Sequence, residues 1–276
     1  MPTARPNGQS MFGTCGHRFT DPGVRNYPVN GPFNVGYGPV NNAALPCYIG
    51  LTLANKCGLT DPEILAGIER AGTFYAQYTH LGCAGYGEHG PYMGHDTNGK
   101  AGLQALAFQF EGDRPVETKY YAKSSTAAAI AERDIGHTGS FFAFLYAPLG
   151  ANVGGPDAMA YYFRETKWMY ELARRWDGSF VYNSFSSGGV EVDALYGQGN
   201  CLMATPMLLT YALPLRQTYM TGKNQDTANW ITPAEMPEVS FASAHTYIPA
   251  TRTTAELLQD ITTWSPKQRL NAAREL

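Results

Sequence analysis

Residues 137–176 read HTGSFFAFLYAPLGANVGGPDAMAYYFRETKWMYELARRW, and this stretch decides the fold class. Its first half, FFAFLYAPLGAN, is apolar or small at almost every position. It is too long for a buried strand and lacks the alternation of a half-buried one, so it predicts a helix covered on all sides. Gly154-Gly155 then turns the chain, and Pro156-Asp157 opens a second helix. There Phe163, Trp168, Tyr170 and Leu172 mix with Arg164, Glu165, Lys167 and Glu171, the composition of a helix with one wet face. The unit is a helical hairpin with one buried and one amphipathic arm.

The same order of parts recurs along the chain. Apolar helices are predicted from Asn42 (NAALPCYIGLTLANKCG), Asn98 (NGKAGLQALAFQFEGD), His137 and Asn200 (NCLMATPMLLTYALP), each after a loop rich in Gly, Asn or His. Amphipathic partners are predicted from Asp61, where Asp61-Pro62 with Glu63 is a helix start signal, from Val116 (VETKYYAKSSTAAAIAERD) and from Pro156. Buried helices alternating with amphipathic ones describe an all-α protein, an incomplete α/α toroid of helical hairpins with four inner helices. Small β-ribbons are expected in the connectors, at 179–182 and 190–195. Residues 1–36 read as an irregular arm, 37–216 as the toroid, and 217–276 as coil and short helices, with coil over 221–251 and a helix over 254–261. The tail PKQRLNAAREL from Pro266 reads as the opening of a further repeat, as in a piece of a longer chain.

Composition narrows the function classes. The 276 residues carry 20 Lys+Arg and 23 Asp+Glu, a net charge of −3, which argues against nucleic acid as a partner because phosphate binding needs a basic face. No run approaches the ~20 apolar residues of a membrane span. Apolar residues at 44% suffice for a packed core. The 18 Tyr, 13 Phe and 4 Trp suit either interhelical packing or a cleft that stacks and hydrogen-bonds sugars. Cys15, Cys47, Cys57, Cys83 and Cys201 form no C-x-x-C pair and read as buried thiols. The opening MPTARPNGQSMFG holds no apolar leader, so the compartment is not fixed by the sequence; a role in carbohydrate breakdown favours an extracellular or periplasmic setting.

The segments GHTGSFFAFLYAPLGA, DTNGKAGLQALAF and ELARRWDGSF resemble the α/α-toroid superfamily, which includes terpenoid cyclases, prenyltransferase β-subunits and many polysaccharide lyases and hydrolases. More narrowly, the G-H-D-x-N-G-K and G-H-T-G segments are similar to those of an uncharacterised bacterial toroid family. The likeness covers roughly residues 37–216. The D-x-D-D acid motif of terpenoid cyclases and the zinc constellation of prenyltransferases are absent, so the resemblance implies a carbohydrate-active enzyme.

In such a fold the inner helices run the same way, and their leading loops gather at one mouth. There the chain places Asn41, Asn42, Glu88, His89, His95, Asp96, Asn98, Lys100, His137, Thr138, Tyr196 and Asn200. Helix N-termini favour an anionic ligand, and a uronate carboxylate fits. For β-elimination from an acidic polysaccharide the resemblance implies Asn98 or Asn42 as the group that neutralises the carboxylate. It implies His137 or His89 as base and Tyr86 or Tyr92 as acid, with Lys100 or Arg164 holding a second acidic group and Tyr196 lining the mouth. A histidine near its ordinary pKa suits base work near neutrality.

Hydrolysis is the alternative reaction and needs two carboxylates, for which Glu88 and Asp96 are the candidates, with Glu191 or Asp193 in reach of the mouth. Turn and capping roles explain Asp96, Asn98 and His137 as well. His89, His95 and Asp96, with Glu88 and His137 nearby, also supply ligand types for a divalent ion such as zinc or calcium, although E-H-x5-H-D is no established metal spacing. A non-catalytic carbohydrate-binding or scaffold module is the reading from another class, its groove lined by Tyr37, Tyr86, Tyr92, Phe141, Tyr182 and Tyr196. The incomplete ring leaves room for a second copy, so a homo-oligomer stays open.

Overall fold

The computed structural model describes residues 41–86, 90–133, 141–180, 201–245 and 251–276. Within them the protein is all-α. Seven helices make up the first part: α1 (Asn41–Lys56), α2 (Pro62–Ala76), α3 (Lys100–Glu111), α4 (Pro115–Ala127), α5 (Ile130–Arg133), α6 (Phe141–Val153) and α7 (Pro156–Ala173). They are followed by α8 (Cys201–Ala212), α9 (Met236–His245), α10 (Thr254–Asp260) and α11 (Pro266–Glu275), with short 3-10 turns at Leu213–Leu215, Tyr219–Thr221 and Thr227–Asn229. No described helix is long and apolar enough to cross a membrane.

The division into buried and amphipathic helices follows the sequence pattern. In α3 every residue from Lys100 to Phe110 is buried. In α7 the buried set is Ala158, Met159, Tyr161, Tyr162, Thr166, Met169, Tyr170 and Ala173, one face at helical spacing. Helix α3 packs against α1, α4 and α6, while α2 covers α1, and α7 covers α6 and α4. The α3–α6 contact is backbone on backbone: a Cβ on Gly102 would lie 2.2 Å from the Tyr146 carbonyl oxygen, and one on Gly150 would lie 2.6 Å from Gly102 Cα. Gly99 meets Phe142 and Gly102 meets Tyr146, so the two helices run parallel. Helix α1 follows the same direction, its Tyr48 ring meeting Phe108 of α3 at 6.1 Å while Asn41 and Gln104 both bind the 84–86 segment.

The tyrosine excess is largely core. Tyr48, Tyr75, Tyr121, Tyr162 and Tyr170 are fully buried, Tyr48 stacking on Tyr75 and Phe108 on Tyr121. Their hydroxyls are satisfied internally, for example Tyr162 with Tyr170 at 2.9 Å and Tyr75 donating to Asn41 Oδ1 at 3.2 Å.

Three expectations change. The connectors, where described, close by single antiparallel bridges, Cys83 with Tyr92 and Arg174 with Phe180; residues 181–182 and the 190–195 segment of the expected ribbons lie outside the described residues. The coil expected over 221–251 contains α9, which docks on α4 through Glu235 and Glu238 to Lys119 and Lys123. Its start was readable: Thr232-Pro233-Ala234-Glu235 is a capping-box pattern, and the Glu235 carboxylate accepts both the Thr232 N–H and its hydroxyl at 2.9 Å. Finally, the helix read from Val116 to Asp134 breaks at Ala128, whose ψ of 122° is extended. The Glu132 carboxylate takes the Ala129 N–H at 3.0 Å and so starts α5 as a separate turn. That break turns Glu132 and Arg133 into the protein.

Candidate functional site

The loop leading into α3 carries the densest set of sequence-predicted site residues. Asn98 and Gly99 both have left-handed backbone, with φ of 53° and 71°, which bends the chain sharply into Lys100. At Gly99 a side chain is barred by the Phe142 carbonyl oxygen, 2.5 Å from where a Cβ would stand. Asp96 Oδ1 accepts the Ala101 N–H at 2.9 Å, holding the first turn of α3. This is the capping role the sequence allowed for Asp96.

Below the loop lies a buried charged layer. His95 is 0% exposed: its backbone N–H donates to Glu132 Oε1 at 2.9 Å, Nδ1 lies 3.0 Å from Glu132 Oε2, and Nε2 lies 2.7 Å from Ser265 Oγ. Lys100 is equally covered and donates from Nζ to the Thr97 carbonyl at 2.8 Å. Arg133 donates to the Ser125 carbonyl at 3.0 Å and lies over the Tyr162 ring at 4.8 Å, leaving Nε and one terminal nitrogen unbonded. Asp96 Oδ2 is also buried and unbonded.

Burial sets the protonation tendencies. It raises the Asp96 carboxyl above the usual aspartate value, against the Ala101 N–H and the Arg133 and Lys100 charges, which pull it down. It lowers Lys100, against the neighbouring Cys83 and Asp96. Burial also presses Glu132 upward, but the His95 charge and hydrogen bonds from His95 and Ala129 prevail and hold it below the ordinary glutamate value. Tyr92, half-buried over Gly94, is raised by burial and by Glu132. It therefore stays a phenol.

Serine, histidine and glutamate follow one another here as in a nucleophile–base–orienter relay. Yet Ser265 is 0% exposed and its Oγ also accepts the Gln268 N–H at 3.1 Å as the N-cap of α11. No surface lets an acyl group approach it. The chain Glu132–His95–Ser265 ties the α3 loop to α5 and α11.

The structure brings together His95, Asp96, Asn98 and Lys100, all buried, with Tyr92 at the edge of the layer. Asn42 stands at the start of α1, nearly covered, with its Oδ1 unbonded. Tyr86 is partly exposed and its carbonyl accepts the Asn41 N–H at 2.8 Å. Arg164 does not join them: it is 67% exposed on α7, beside Glu165 and over the Tyr161 ring. Both ring nitrogens of His95, expected as a metal ligand, are engaged by protein groups, Glu132 and Ser265. Among the described residues no three His, Cys, Asp or Glu are placed to hold a metal. Glu88, His89, His137 and Tyr196 lie outside the described residues. Glu132, Arg133 and Ser265 were not singled out from the sequence; Ser265-Pro266-Lys267-Gln268 is a capping pattern that signals the last, whereas nothing local signals the other two.

Fold and site together define an all-α protein of paired helices, with the leading ends of parallel inner helices over a buried charged layer. The chain belongs to the family described as a domain of unknown function, DUF6288, which matches residues 3–222. No curated protein and no solved structure matches it.

Proposed function

We propose that this protein is a carbohydrate-active enzyme of the α/α-toroid type that cleaves an acidic polysaccharide by β-elimination at the leading ends of α1, α3 and α6. The observation that carries the reading is the parallel run of α1, α3 and α6, with the cations Lys100 and Arg133 behind the α3 loop. Parallel helix N-termini present free N–H groups and positive dipole ends that suit a uronate carboxylate.

Elimination needs that carboxylate neutralised, a proton removed from the adjacent carbon, and the glycosidic oxygen protonated as it leaves. Asn42, with a side-chain atom unbonded, is better placed to neutralise than Asn98, which is wholly covered. Tyr92, kept protonated by its surroundings, suits the acid, with Tyr86 as the alternative. His137 or His89 is assigned the base by residue type. The buried layer positions the loop rather than touching the substrate.

The test is incubation with a panel of uronate polysaccharides, following ultraviolet absorbance and reducing ends together. Unsaturated uronate ends that disappear in His137→Ala establish elimination. Reducing ends without absorbance transfer the reaction to hydrolysis. A chelator arm tests for a metal, and silence in both channels refutes the degrading enzyme for those substrates.

A further inference from the structure

At the end of the molecule opposite the α3 loop, a cavity of about 380 Å³ opens between the C-terminal ends of α1, α3 and α6 and the 219–229 segment. Its size is within the range that holds small ligands. Three of its lining side chains, Gln109, Asn152 and Asn229, are carboxamides at least nine-tenths buried; the partly buried Gln225 and the exposed Asn224 also line it.

Gln109, Asn152, Gln225 and Asn229 are each fixed by one end. Asn152 donates from Nδ2 to the Thr221 carbonyl at 3.2 Å, and Gln225 donates from Nε2 to the Val153 carbonyl at 2.5 Å. Asn229 Nδ2 donates to Gln109 Oε1 at 3.2 Å. Those contacts engage no other end of the four amides, so Oδ1 of Asn152 and Asn229, Oε1 of Gln225 and Nε2 of Gln109 are left over. Gln225 Oε1 is fully covered and unbonded. Gly222, at φ 93°, permits the crowding, since a Cβ there would fall 2.9 Å from Gln225 Oε1 and 3.1 Å from Asn152 Nδ2.

A rigid set of two acceptors and one donor, Oδ1 of Asn152 and Asn229 with Nε2 of Gln109, and the half-exposed Tyr219 ring at the wall match vicinal hydroxyls on a ring that has an apolar face. We infer that this cavity is a binding site for a single neutral sugar unit, separate from the mouth and independent of whether the mouth is catalytic. Lys56 and Lys223 offset Asp226 and the carbonyl-rich helix ends around it, which removes the advantage a free cation would have there.

Titration of the full chain with methyl glycosides of glucose, galactose and xylose, followed by calorimetry or ligand-observed NMR, tests the inference. Binding of at least one glycoside at millimolar concentrations is expected, the range usual for so small a ligand. Gln109→Glu keeps the oxygen that Asn229 needs and removes the free donor; Tyr219→Ala removes the ring. Each should weaken binding about tenfold, while circular dichroism and the unfolding midpoint show the fold retained. No glycoside binding, binding that both variants leave intact, or binding of calcium chloride in place of every glycoside would each overturn the inference.

Discussion

Replacing Glu132 by alanine probes the tie that holds the α3 loop against the body of the protein. The Glu132 carboxylate, 2% exposed, accepts three hydrogen bonds: from the His95 backbone and Ala129 backbone at 2.9 and 3.0 Å, and from His95 Nδ1 at 3.0 Å. Truncation leaves three covered donors without acceptors. Orphaned groups cost about 1–3 kcal/mol each, but three that share one carboxylate do not add. Removing one partner of a buried pair typically costs about 3–5 kcal/mol, and we expect about 4. Against a total stability of roughly 5–15 kcal/mol that is severe, and at ~2–4 °C per kcal/mol it lowers the unfolding midpoint by about 8–16 °C.

The assay is urea or thermal unfolding followed by circular dichroism, with Glu132→Gln as the milder variant, since its one remaining oxygen still accepts. The pH dependence has a defined sign. Glu132 is held below its ordinary value of 4.5 in the folded protein, so its contribution is fully present above that pH and is lost as pH falls through the lowered folded-state value. The gap between wild type and Glu132→Ala should therefore close on the acid side. A loss under about 1 kcal/mol at neutral pH, the size of an ordinary exposed ion pair, or a gap that persists undiminished into acid, refutes the tie.

Three further outcomes follow from the packing. Gly102→Ala forces a methyl group against the Tyr146 backbone and should destabilise by about 2–3 kcal/mol, whereas Gly50→Ala, with nothing within 4 Å, should stabilise by about 0.5–1 kcal/mol; paired melts decide, and equal effects would undo the close α3–α6 contact. Tyr48→Phe removes the hydroxyl that donates to Glu111 and keeps the ring, and should cost about 1–2 kcal/mol in urea unfolding because Glu111 retains Arg114 at 3.1 Å. Asp96 is raised above 3.8 when folded, so ionised Asp96 works against folding, progressively as pH rises from 3.8 through the folded-state value. Asp96→Asn should therefore gain stability relative to wild type over that rise, read from unfolding curves across the acid range.

The hairpins were legible because burial on all sides and burial on one face leave different patterns, and each pattern could be read without knowing its neighbours. FFAFLYAPLGAN and PDAMAYYFRETKWMYELA became α6 and α7, with Pro156 opening the second as expected. The break at Ala128 was not legible. Nothing in TAAAIAERD disfavours a continuous helix, and it is a tertiary event, His95 and Ala129 both presenting N–H groups to Glu132, that makes α5 a separate turn. Helix α9 was missed for a different reason: its signal, Thr232 to Glu235, was present, but the apolar pattern of the short segment after it is weak.

Residue type located the site region, and it misjudged depth. His95, Asp96 and Lys100 were chosen because such residues do chemistry, and the structure covers all three completely. A loop glycine and a left-handed asparagine turn the chain so that these side chains face inward, where Glu132, Arg133 and Ser265 wait from segments between 32 and 170 residues away in sequence. No local pattern encodes such partners. The depth itself has a functional consequence. A charged layer held under a loop by a carboxylate and a helix cap cannot meet a polymer, but it fixes the loop above it and sets the field there. If the proposed elimination is right, contact with the substrate falls to residues at the layer's edge, of which Tyr92 is one, and loss of Glu132 should disturb their placement without removing any atom that would touch it.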